Sequence, residues 1–170
     1  MKNTIKLLVL VAFVLTGMTV SAQVKLGHIE TQKVIQAMPE WAEARKTYQA
    51  KEDEVKKELA NMQEQFQTKF ADYSEKAKTY SDVIRASKEQ ELQELQQRIQ
   101  RFQEIAVNEL EKSQNDLMQP VMEKAMNAIK AVGKENGFTY IFDMSGGMIL
   151  YAAENSEDIL PLVKKKLGLQ

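Results

Sequence analysis

Between Gly27 and Gly133 the chain contains no glycine. All-β sandwiches and barrels need a turn residue roughly every 8–12 positions, so that stretch excludes them. It also leaves no glycine-rich loop to cradle a phosphate in the middle of the chain. What fills it is Glu, Gln, Lys, Ala and Leu, the residues that lose least on entering a helix. Its apolar positions run Trp41, Ala44, Tyr48, then Val55, Leu59, Met62, Phe66, Phe70, Tyr73, Ala77, Tyr80 and Ile84. Steps of three and four, broken once between Tyr48 and Val55, describe the seam of a coiled coil. Met62–Phe66–Phe70 is a double step of four that locally unwinds a supercoil. A second seam follows through Leu92, Leu95, Ile99, Phe102, Ala106 and Leu110, and continues less regularly through Leu117, Val121, Ala125 and Ile129. Met118, Met122 and Met126 lie beside it and read as adaptable core filling.

One helix over residues 40–132 would be about 140 Å long and would hold the two chain ends apart. The expected arrangement is therefore an antiparallel hairpin of two arms, 40–81 and 87–132, with its tip near 81–87. Ser87-Lys88-Glu89-Gln90 fits a capping box at the start of the second arm, and Ser81-Asp82 suits the end of the first. Pro120 should kink the returning arm. The chain ends, 23–39 and 133–170, then form a body. Val24–Ile29 reads as a strand, followed by a short helix that stops before Pro39. Gly133 and Gly137 are expected to end the long helix. Phe138–Phe142 and Met148–Tyr151, joined by Ser145-Gly146-Gly147, read as a β-hairpin. Asp158 looks like the cap of a last helix, with Pro161 in its first turn and Lys164–Lys166 at its negative end. The fold class is α+β, mainly α: a helical-hairpin arm on a small β-containing body. A body of 55 residues is marginal alone. Oligomerisation would resolve this by pooling Leu26, Ile29, Phe138, Tyr140, Phe142, Ile149 and Tyr151. Spacing does not give the number of subunits.

The first residues are an address. A basic start, Met1–Lys6, an apolar run, Leu7–Leu15, and the small residues of Val20-Ser21-Ala22 form a secretory signal peptide cut after Ala22. The run is far shorter than the ~20 apolar residues of a spanning helix, so no stable membrane anchor is expected. Removing residues 1–22 takes away Lys2 and Lys6 and no acid. That leaves 21 basic against 24 acidic side chains, net −3. With no cysteine, the chain has no lipidation site, disulfide or thiol chemistry, and with one histidine it has no Cys/His zinc site. His28, Asp143 and Ser145 are the one set resembling a hydrolase triad, but no G-x-S-x-G elbow accompanies them. Carboxylates such as Glu52 fall four residues from a lysine, Lys56, as solvated helix pairs do. No basic stripe suits nucleic acid. The expectation is a chain that is not an enzyme, with no catalytic residue, cofactor or metal.

V-K-L-G-H-I-E at 24–30 and the closing F-T-Y-I-F-D (138–143), Y-A-A (151–153), S-E-D-I (156–159) and V-K-K-K-L (163–167) resemble the OmpH/Skp family of periplasmic chaperones for outer-membrane proteins. The resemblance runs from about Val24 to Leu167, and its specific part is the two ends. It implies a homotrimer in which a β body carries three helical-hairpin tentacles around a cavity for an unfolded outer-membrane protein. Such a holdase works without ATP and needs weak, distributed apolar contacts. Off-seam residues supply the candidates: Val83 at the tip, and Ile105, Val107 and Leu117 on the returning arm. Trp41 should pack on the body. A structural coiled-coil adaptor or spacer of the envelope is the alternative. One departure stands out. The best-known members are strongly basic, whereas residues 40–132 hold 15 basic and 18 acidic side chains.

Overall fold

The structure, a computed structural model, describes residues 24–169. The expected signal peptide and its cleavage point lie outside the described residues. Chain order is β1 (Leu26–Ile29), α1 (Thr31–Ala37), α2 (Pro39–Lys76), α3 (Asp82–Glu135), β2 (Tyr140–Asp143), β3 (Glu157–Asp158) and α4 (Leu160–Lys166). The protein is mainly α, a long helical hairpin joined to a small sheet, as its sequence pattern predicts.

Helices α2 and α3 pack antiparallel. At the tip end Lys69 pairs with Glu91 and Tyr73 bonds Glu89, while at the base Glu40 pairs with Lys124. At 1.5 Å per residue α2 is about 57 Å long and α3 about 81 Å. Met62, Leu95 and Ala106 are buried along the seam. At the seven-residue gap the helices enclose a cleft of about 780 Å³ lined by Val55, Phe102, Leu110 and Ser113. Ser113 sits at a seam position with its Oγ buried and without a hydrogen-bond partner among the described residues.

The tip lies earlier than expected. Helix α2 ends at Lys76, and Ser81 is the cap of α3, its Oγ accepting from the Ile84 amide at 3.4 Å. Ser87–Gln90 is ordinary helix interior, not a capping box. Asp82 favours the earlier start, because an acid in the first turn offsets the positive helix end. At the other end α3 runs through Gly133 to Glu135. Gly137, at φ +70°, closes it: the Phe138 amide reaches the Gly133 carbonyl at 2.9 Å, and the Gly137 amide the Lys134 carbonyl. Gly133 therefore does not stop the helix. It lets α3 approach β2, since a Cβ there would stand 2.9 Å from Ile141 Cδ1.

The sheet corrects the expected hairpin. Its order is β2-β1-β3 and both pairings are parallel, Leu26 opposite Tyr140 and His28 opposite Asp158. Parallel strands need crossovers. The arm is the crossover between β1 and β2. Residues 144–156 must carry the chain past β1 to its far edge, so Met148–Tyr151 forms no strand. The turn after β2 is committed elsewhere. Asp143 Oδ1 accepts from the Ser145 and Thr31 amides, and Ser145 Oγ accepts from the Gln32 amide at 3.0 Å, so both cap α1.

One sheet face is covered by the chain itself. Ile29, Val34, Met38, Ile159 and Val163 are the largest of the fully buried side chains, each worth about 1.5–3 kcal/mol of transfer free energy. Trp41 packs against this cluster at the arm base, as do Phe138 and Ile141. Gly27 faces the same way, with the Phe138 ring and Ile159 where a Cβ would be. Asp158 Oδ1 accepts from the Leu160 amide at 2.9 Å and so caps α4.

Candidate functional site

Strand alternation divides the expected body residues into two groups. Gly27 and Ile29 point into the core, so Ile29 belongs to the chain's own fold. Phe138 precedes β2 and packs on that core, with Lys25 Nζ 4.0 Å above its ring. Neither shares a face with Tyr140 and Phe142. Leu26, Tyr140 and Phe142 lie on the opposite, exposed sheet face, where the rings of Tyr140 and Phe142 stack at 6.4 Å. The crossover carries further exposed apolar residues. Met148, Leu150 and Tyr151 are exposed, Leu150 at 95%, while Ile149 is half-buried. Exposed apolar side chains gathered on one sheet face mark an interface.

The triad-like residues do not meet as a triad. His28 Nδ1 and Ser156 Oγ are hydrogen-bonded at 2.9 Å, while Asp143 and Ser145 hold the start of α1. Partial burial pushes the Asp143 carboxyl up, but the Ser145 and Thr31 hydrogen bonds outweigh it and hold the group below the usual carboxylate range. Among the described residues no cluster of three or more His, Asp or Glu could hold a metal ion. No helix among them is long and apolar enough to cross a membrane.

The arm candidates are scattered. Val83, Ile105 and Val107 are exposed, Val83 at 81%. Ile105 and Val107, two residues apart, project from flanks about 200° apart. Leu117 is half-buried against the core cluster, so it is mainly packing. Sequence reasoning assigned other exposed residues to packing. Phe70 and Ile84 carry seam spacing yet stand half out of the seam near the tip, Phe70 stacked on Phe66. Met122 and Met126 are 53% and 43% exposed, so these two are not core filling, whereas Met118 packs against the core cluster. Their off-seam phase was the available signal.

Polar groups near the tip are mutually satisfied. Glu91 bridges Lys69 and Lys88, and the Lys69 hydrogen bond leads in holding its carboxyl below the usual range. Arg85 donates to the carbonyls of Ala77 and Tyr80, which closes the turn.

No curated protein matches the chain in sequence. A family model described as "Outer membrane protein (OmpH-like)" matches residues 25–167, which takes in β1, both arm helices, the whole sheet and α4. The chain therefore belongs to the OmpH-like family, and at family level it is a periplasmic chaperone of outer-membrane proteins.

Proposed function

We propose that this protein is an ATP-independent holdase. It is exported with residues 1–22 removed, assembles as a homotrimer through its body, and shelters unfolded outer-membrane proteins between its arms. The observation that carries this reading is the bare sheet face of Leu26, Tyr140 and Phe142, together with the exposed Met148, Leu150 and Tyr151 of the crossover. Covering that surface with like surfaces from two other copies would leave three arms projecting from one body. The number three comes from the family resemblance. Residues 23–39 and 133–170 act as the assembly unit and the hairpin between them as the tentacle. Isolated apolar side chains on the arm flanks offer weak contacts that a client can leave without nucleotide hydrolysis, and no residue is given a catalytic role.

Suppression of aggregation of several unrelated urea-diluted β-barrel proteins, without nucleotide, tests the holdase. Activity toward one protein alone would favour the envelope adaptor. The exposed tip residues Val83, Ile84 and Phe70 are what that second reading would use. Tyr140→Asp tests the assembly face, because a charge buried unpaired there costs several kcal/mol. A variant that remains trimeric by native mass spectrometry would remove that face from the interface.

A further inference from the structure

On the flank of α3 near its base, two rows of side chains run in parallel. One is Met118, Met122 and Met126. The other, one position away around the helix, is Asn115, Gln119, Glu123 and Asn127. Together they line a shallow groove of about 590 Å³ that ends at Lys130. Met118 anchors the apolar row against the core cluster, and the other two methionines stand in the open. Both rows repeat every four residues, about 6 Å along the helix axis.

An extended polypeptide repeats on nearly the same length. Side chains on one side of a strand recur every two residues, about 6.6–6.8 Å, and so do the backbone N–H and C=O groups along one edge. Over the three methionines the mismatch grows to only ~1–2 Å, which flexible thioether side chains absorb. The polar row supplies amide donors and acceptors at Asn115 and Asn127, with Gln119 and Glu123 between them. The Gln119 amide donates to the Glu123 carboxylate at 2.9 Å, a bond that an arriving backbone edge would have to exchange. A helix docked in this groove would have no free backbone groups to offer such a row, because its own ladder uses them. An unfolded outer-membrane strand has both: alternating apolar side chains and an unpaired backbone edge.

We propose that this groove binds a short extended segment of the client, three successive lipid-facing side chains against Met118, Met122 and Met126 and one backbone edge along the polar row. The proposal rests on the holdase reading and adds where and in what conformation the client is held. Intervening side chains of the segment, polar in a barrel strand, point to solvent. Lys130 lies at the end of the methionine row, where the pattern stops.

The test begins with the assembled mature protein and one urea-unfolded β-barrel protein. If the wild type binds no such client, the holdase reading falls and this proposal with it. Where the wild type binds, Met122→Gln with Met126→Gln keeps side-chain length and helix propensity while removing the apolar contact. It should weaken affinity about tenfold, equivalent to ~1.4 kcal/mol, with unchanged subunit number. Asn115→Ala with Asn127→Ala should weaken it too, and a photocrosslinker at position 122 should mark every second residue within client strands. Wild-type affinity in the methionine variant would overturn the groove alone. So would crosslinks from position 122 to a second copy of this chain without client, since that copy would then cover the row.

Discussion

The same substitution at two glycines should have different results, and the structure gives the reason. At Gly27 a Cβ would stand 2.8 and 3.0 Å from Phe138 ring atoms and 3.2 Å from Ile159 Cγ2. Ordinary carbon contacts are about 3.5–4.0 Å. Neither neighbour can yield easily: Ile159 is fully buried, and Phe138 lies between the core and Lys25, which is itself paired with Glu157 at 3.2 Å. Overpacking of this kind costs about 1–3 kcal/mol. The smaller unfolded-state entropy of alanine returns about 0.4–1 kcal/mol. Gly27→Ala should therefore lose roughly 1–2 kcal/mol, a drop of about 2–8 °C in Tm for a chain of this size. At Gly133 the single close atom is Ile141 Cδ1, the free end of a side chain that can rotate. Displacing it costs about 0.5–1.5 kcal/mol, against roughly 0.8–1.0 kcal/mol gained when alanine replaces glycine inside a helix. Gly133→Ala should stay within about 0.5 kcal/mol of the wild type. Thermal unfolding followed by fluorescence of Trp41, the one tryptophan, reports on the packed base of the arm. Protomer concentration must be held fixed, because the proposed assembly would add to apparent stability. An unchanged Gly27→Ala, or a Gly133→Ala that costs as much, would refute the packing argument.

Ser81→Ala should cost about 1 kcal/mol as a lost helix cap, with faster amide exchange at Ile84, whereas Ser87→Ala should change little; equal effects would put the tip back at Ser87. Ser113→Ala removes a buried hydroxyl without a partner, so denaturant titration should find the variant as stable as the wild type or more stable by about 1 kcal/mol. The lowered pKa of Asp143 adds stability that is full above the unfolded carboxylate value near ~3.9 and is lost as pH falls through the folded value. Wild-type Tm should accordingly drop more steeply below about pH 4 than that of Asp143→Asn, and parallel profiles would assign the acid loss elsewhere. Because the arm charges nearly balance, client affinity should change less than about tenfold between low salt and ~0.5 M salt; a hundredfold loss in a binding titration would point to a local basic grip, for example at Arg98 and Arg101.

Long-period patterns were legible in the sequence and single boundaries were not. The seams from Trp41 to Ile84 and from Leu92 to Ile129 identify the hairpin because burial along a helix imposes a repeat that chance does not sustain. The tip was misplaced by several residues because Ser81 and Ser87 both carry cap chemistry, and the sequence alone does not weigh Asp82 against Gln90. The strands at 26–29 and near 138–143 were visible as short apolar runs, but their partners were not. An apolar run such as Met148–Tyr151 looks the same in a hairpin strand as in a crossover, and Glu157–Asp158 has no strand signal at all. Gly133 was misread because a helix-stopping glycine and one that admits a neighbour at close range are the same letter. The exposure of Met122 depends on which helix flank the partner leaves open, and spacing within one helix does not report that.

The parallel pairing of Leu26 with Tyr140 has a kinetic consequence. The hairpin between them is built from local contacts and can form early, as low-contact-order helical segments do. Strand β1 cannot be paired on either edge until the last quarter of the chain is available, because both of its neighbours come from there. Because synthesis runs from the N-terminus, those edges stay unpaired until the whole arm has been made. The sheet is therefore the last element to form, because both edges of β1 need residues 140–158. A chaperone of outer-membrane proteins thus begins its own life with an unpaired strand.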